Sequence, residues 1–94
     1  MISPEIRLMT LKYVAKASYI KVFMNELVRK GIYNKRTGNP YTYYAVKHIF
    51  DGKRENFEVE NVIMDITSEM KEKREAIKKE YNESLEKDQP HGLQ

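Results

Sequence analysis

GIYNKRTGNPYTYYAVKHIFDGKR, residues Gly31 to Arg54, decides how the rest of the chain is read. Its opening part cannot be helical. Asn34, Thr37-Gly38-Asn39 and Pro40 are turn formers, and Pro40 has no N–H to donate. The β-formers Ile32-Tyr33 and Tyr41 flank KRTGNP, so the spacing predicts a small hairpin or wing-like loop, with a plain ordered loop as the alternative. Thr42 then suits an N-cap for a short helix, Tyr43 to about Phe50, which Asp51-Gly52 ends. Ala45, Val46, Ile49 and Phe50 make the inward face of that helix. Tyr43, Tyr44, Lys47 and His48 are left for other surfaces, with His48 expected to be partly buried beside the apolar face. The stretch carries Lys35, Arg36, Lys47, Lys53 and Arg54 against one acid, Asp51. Cations meet phosphates, and a short helix behind a basic loop suits a major groove. DNA binding is therefore the leading expectation.

Working upstream, Ser3-Pro4-Glu5 is a helix start, and a first helix is expected from Pro4 to about Lys16. Leu8, Leu11, Val14 and Ala15 share one face of it. Ser18 can cap a second helix, Tyr19 to Lys30, with Ile20, Phe23, Met24 and Leu27 as its buried stripe and Gly31 as its C-cap. Ala15-Lys16-Ala17 does not break a helix, so one bent helix across the join is also open. Downstream, Asn56 can cap a fourth helix starting near Phe57. Val59, Val62, Ile63, Ile66 and Met70 form its stripe, and only Ile77, Tyr81 and Leu85 continue it. Glu75–Lys79 and Glu83–Lys87 are favourable i,i+4 pairs. The expected organisation is a DNA-binding domain over residues 1–70, a solvated extension of the last helix over 71–87, and a flexible tail over 88–94, where Pro90 and Gly92 fall.

Composition bounds the function. Ninety-four residues make one small domain with one modest core. The net charge of +3 hides a split. Residues 1–54 hold eleven Lys/Arg against three Asp/Glu, and residues 55–94 hold six against eleven. The chain has no Cys, which removes disulfides and thiolate metal sites, and its two His have no ligand-like spacing. No apolar run reaches the ~20 residues of a membrane span, and Glu5 and Arg7 interrupt the start, so a cytoplasmic protein without membrane contact is expected. No Ser/His/Asp set, phosphate-cradling Gly loop or carboxylate pair stands out. The expectation is no enzyme, no cofactor and no metal. Met9, Met24, Met64 and Met70 are read as core filler.

Glu26-Leu27-Val28-Arg29-Lys30-Gly31-Ile32, then Arg36-Thr37-Gly38-Asn39-Pro40-Tyr41-Thr42, then Val46 and Ile49-Phe50, resemble a pattern in the DNA-binding region of large serine recombinases. Val46 through Asp51-Gly52-Lys53-Arg54-Glu55-Asn56 also resembles the end of the recognition helix in repressor-like helix-turn-helix proteins of phages. The likeness covers about a third of the chain. The connection before the short helix is longer than the three or four residues of a tight helix-turn-helix, and nothing corresponds to a recombinase catalytic domain. The resemblance implies DNA binding, not strand exchange, and a phage or mobile-element setting.

The combined reading is an all-α domain of four helices, of helix-turn-helix type, with a long loop or small hairpin before the recognition helix and a long C-terminal helix. Its expected function is sequence-specific binding of duplex DNA, as a transcriptional regulator or accessory protein. The candidate residues are Lys35, Arg36, Thr42, Tyr43, Tyr44, Lys47, Lys53 and Arg54. Thr42 and the free N–H groups of its helix suit a phosphate, and Tyr43, Tyr44 and Lys47 lie where a recognition helix touches bases. Lys35 and Arg36 can grip backbone, and Lys53 and Arg54 the next phosphate. Of the four tyrosines, Tyr41 or Tyr44 is expected to be structural. The alternative function is a protein-interaction module acting through the acidic C-terminal helix, with a homodimer through that helix left open. RNA binding by stacked tyrosines is a third option.

Overall fold

A computed structural model describes residues 1–14 and 18–93, with side chains accounted for through residue 85. Its elements are α1 (Pro4–Tyr13), α2 (Tyr19–Arg29), α3 (Tyr43–Phe50) and α4 (Phe57–Leu93). The chain is all-α, and no strand occurs among the described residues.

α1 begins as its sequence dictates. The Ser3 hydroxyl accepts from the Ile6 N–H at 3.3 Å, and Pro4 follows in the first turn. The helix ends at Tyr13 because Val14 turns extended, with φ −100° and ψ 151°, and buries its side chain in the core. That is shorter than the span to Lys16, and it rules out one bent helix running through Val14. Ala15-Lys16-Ala17 lie outside the described residues. The face of α1 also differs from the apolar reading. Leu8 is 69% exposed and Leu11 is exposed, whereas Thr10 is fully buried and Ile6 packs on the core. Thr10 explains the difference. Its hydroxyl donates to the Ile6 carbonyl at 2.9 Å, so its proton is committed and it accepts from Thr67 of α4 at 2.7 Å. Once both hydroxyls are satisfied, burial carries no orphan penalty, and α1 turns its Ile6–Thr10 face to α4.

α1 runs parallel to α4, from the Met1 ammonium beside Glu60 to the Lys12 carbonyl beside Arg74. α2 packs on α3 and α4, and α3 on α4. Ile20, Phe23 and Leu27 of α2, Val46, Ile49 and Phe50 of α3, and Val59, Val62, Ile63 and Ile66 of α4 close one core, with the 3.6-residue period that the sequence shows. Phe23 and Phe50 of this core cluster with the half-buried Tyr19, whose ring centroid lies 5.0 Å from that of Phe50. Met24, Met64 and Met70 pack against this core as fillers, and Met9 is half-buried.

α2 and α3 end alike. Gly31 donates to Val28 and Ile32 to Leu27; Gly52 donates to Ile49 and Lys53 to His48. Both are Schellman closures, which need a left-handed residue, and the glycines supply it at φ 71° and 77°. The two differ in their surroundings. Gly31 has open space about it, but a Cβ at Gly52 would lie 2.7 Å from the Arg7 guanidinium and 3.1 Å from the Ile2 carbonyl. Arg7 cannot easily move, since one nitrogen donates to the Ile2 carbonyl at 3.2 Å and the Asp51 carbonyl at 3.1 Å. Gly31→Ala should therefore cost only the left-handed strain of about 1–2 kcal/mol. Gly52→Ala should cost more and loosen the α1–α3 join. Denaturant melts of both variants check the order.

At the start of α4, Asn56 caps through its side chain, accepting from Val59 N–H at 3.2 Å, while Glu60 reaches back to the Asn56 N–H at 2.7 Å. Glu60 is buried and also pairs with the Met1 ammonium at 2.6 Å. Burial raises the Glu60 carboxyl, but the ammonium and the Asn56 N–H outweigh it, so its pKa falls below the ordinary 4.5. The hydrogen bond to Glu60 lifts the ammonium above its ordinary 8.0. Glu60 thus adds stability above its ordinary pKa that is lost as pH falls through the lowered value. The ammonium adds stability below its ordinary pKa that is lost as pH rises through the raised value. Glu60→Gln should flatten both arms of a melting-temperature profile against pH; unchanged arms would count against the pairing.

α4 leaves the core near Met70. Residues 72–85 are exposed, and the molecule spans 67 × 26 × 20 Å. Glu69 and Lys73 form an i,i+4 ion pair at 3.3 Å, but the expected Glu75–Lys79 pair does not form, and the Lys87 side chain lies outside the described residues. The helix also takes in residues 88–93, which the sequence reading assigns to a tail. No helix among the described residues is long and apolar enough to cross a membrane.

Candidate functional site

Between the two Schellman glycines lie an exposed loop and the short helix α3. Asn34 organises the loop. The Asn34 carbonyl accepts from Gly38 N–H at 2.7 Å and from Thr37 N–H at 3.3 Å. Its side-chain oxygen accepts from Arg36 N–H at 3.0 Å, and its own N–H donates to the Asn39 carbonyl at 2.9 Å. The Thr37 hydroxyl accepts from Asn39 N–H at 3.2 Å, and Gly38 takes the left-handed turn at φ 73°. This is an ordered loop closed on itself. The hairpin reading is corrected: these turn bonds use the N–H groups a ladder would need, and Pro40 offers none.

Pro40 hands the chain to Tyr41, which is buried and accepts from the Asn56 side-chain amide at 2.9 Å. Tyr41 is thus the structural tyrosine, and it ties the loop to the cap of α4. The Thr42 hydroxyl caps α3, accepting from Ala45 N–H at 3.2 Å. Fixing Val46, Ile49 and Phe50 inward leaves Tyr43, Tyr44, Lys47 and His48 outward. Tyr44 is 74% exposed, and its ring meets that of Tyr43 edge-on at 5.9 Å. His48 is exposed rather than partly buried. It sits one turn beyond Tyr44, and that i,i+4 spacing was the signal for it.

The five cations are not equivalent. Lys47 pairs with Asp51 at 3.2 Å, and that hydrogen bond and charge raise its pKa above 10.5. Lys35 lies 3.5 Å from Glu58. Among the described residues, the side chains of Arg36, Lys53 and Arg54 have no ion-pair or hydrogen-bond partner and are exposed. All eight candidates fall within residues 35–54, with Arg36 in the loop and Lys53 and Arg54 beyond the α3 exit as the unpaired charges. Phe57, 79% exposed at the first position of α4, lies next to Glu58 and was not among the candidates. It is out of phase with the stripe that begins at Val59, which marks it as outward. Among the described residues no cluster of His, Cys, Asp or Glu is placed to hold a metal.

Comparison with protein-family models, with curated protein sequences and with solved structures gives no match.

Proposed function

We propose that this chain binds duplex DNA sequence-specifically, with α3 as the reading helix. The observation that carries the proposal is the outward face of α3. A side-chain-capped helix presents two tyrosines, a lysine and a histidine, with three unpaired cations close in sequence on either side. Polar and aromatic groups on a short exposed helix can meet base edges, while the flanking cations meet phosphates. α2 and α3 act as a helix-turn-helix pair whose turn is lengthened to residues 30–42. In this reading it is a transcriptional regulator or accessory protein in the cytoplasm, and its phage or mobile-element setting rests on the resemblance alone.

A mobility shift across a salt series tests the proposal. Retardation of duplex DNA that weakens linearly in log–log form with salt is expected. No retardation at low salt, or stronger binding to single-stranded RNA, would sink it. A second reading, a protein-interaction module in the α4 extension, is favoured by the exposed Ile77, Tyr81 and Leu85. Deleting residues 71–94 separates the two functions, since DNA affinity per domain should survive the deletion.

A further inference from the structure

The exposed end of α4 repeats at eleven residues. Ile66, Met70 and Arg74 are followed at that spacing by Ile77, Tyr81 and Leu85. Such a repeat, about 3.67 residues per turn, keeps one stripe in line along a nearly straight helix. The first half of the stripe is occupied. Ile66 is buried, Met70 packs on the core, and the Arg74 guanidinium donates to the Lys12 carbonyl at 3.0 Å. The second half is exposed, Ile77 at 66%, Tyr81 at 63% and Leu85 at 40%. Where α4 leaves the domain, Ile77, Tyr81, Arg74 and Lys78 line a groove of ≈ 650 Å³ with Lys12 and Tyr13 of α1. Glu75 is the one acid on its wall.

Charge along this extension is segregated. Residues 71–79 hold five Lys/Arg and two Glu, a balance of +3; residues 80–88 hold four Asp/Glu and one Lys, a balance of −3. A lone helix gains nothing from this order, since its macrodipole favours acids toward the N-terminus and bases toward the C-terminus. A second copy laid antiparallel places each basic half beside an acidic half. A parallel copy places like beside like.

We propose that the groove takes a second copy of this chain, with the two α4 extensions paired antiparallel about Tyr81. In that register Ile77 of one copy meets Leu85 of the other and Tyr81 meets its own mate. The acidic half of each copy crosses the groove walled by Lys12 and Lys78 of the other. The pairing rests on the second reading above, that α4 takes a protein partner, and is independent of DNA binding.

The chain has no cysteine, so single cysteines at exposed seam positions of the full chain report the register. Under oxidation Tyr81→Cys should cross-link with itself. Ile77→Cys and Leu85→Cys should not do so alone, but should link to each other when mixed. Sedimentation equilibrium should show a dimer. Self-linking at all three positions would mean a parallel dimer and overturn the proposal. Monomer mass at every concentration would overturn it too, while leaving the broader protein-partner reading standing.

Discussion

The triple variant Arg36→Glu, Lys53→Glu, Arg54→Glu should lose about a thousandfold in duplex affinity at low salt. Each of these side chains is exposed and unpaired among the described residues, so each can give its whole charge to a phosphate. A charge-assisted hydrogen bond is worth at least about 1.5 kcal/mol, roughly tenfold per residue. Three phosphate contacts also set a slope of about −2.7 in log affinity against log salt, and the triple variant should bring it close to zero. Lys35 and Lys47 are different. Each already faces a carboxylate, Glu58 and Asp51, so Lys35→Gln and Lys47→Gln should weaken binding less than any single reversal at Arg36, Lys53 or Arg54. Fluorescence anisotropy with one labelled duplex over a salt series measures both quantities. None of these side chains is in the core, so melting temperatures should hold. If Lys35→Gln proves worse than Arg36→Glu, the division into paired and unpaired cations is wrong.

Phe23→Ala should destabilise the fold by about 3–5 kcal/mol, the range for a buried aromatic cut to alanine. Phe23 is wholly buried and packs against both Tyr19 and Phe50, its ring edge-on to the first. At roughly 0.05–0.15 kcal/mol per residue, a domain of this size holds about 5–14 kcal/mol in total. One side chain would then remove about a fifth of the stability or more. Leu8→Ala is the counterpart. Leu8 is as apolar as any core residue but lies outside, so its loss should stay within about 0.5 kcal/mol. Urea melts of the two variants give the comparison. Similar costs would mean that α1 is rotated from the face described here.

Much of the fold was legible because apolar periodicity and capping residues agreed. α2, α3 and the core half of α4 lie where their stripes put them, and Ser3, Gly31, Thr42, Gly52 and Asn56 bound helices as expected. The buried face of α1 was not legible, because its central residue, Thr10, is polar by type and becomes a core residue only when Thr67 meets it from α4. Only a tertiary contact carries that information. The hairpin failed for a local reason, since turn formers specify a reversal but not a ladder. In the candidate site the residue types could be read, but not which lysines had already spent their charge. Glu58 and Lys35 are distant in sequence, and only the loop path brings them together.

The loop between α2 and α3 satisfies its own backbone. The Asn34–Asn39 bond and the inner turns close it before Pro40, and Tyr41 and Thr42 then anchor and restart the chain independently of what the loop contains. The side chains of Lys35 and Arg36, which make no bond within the loop, are thus exchangeable, while Thr37 and Gly38 hold the turn. Descendants of this chain can retune what the tip touches without repacking a single core residue, and an engineer can substitute there for the same reason.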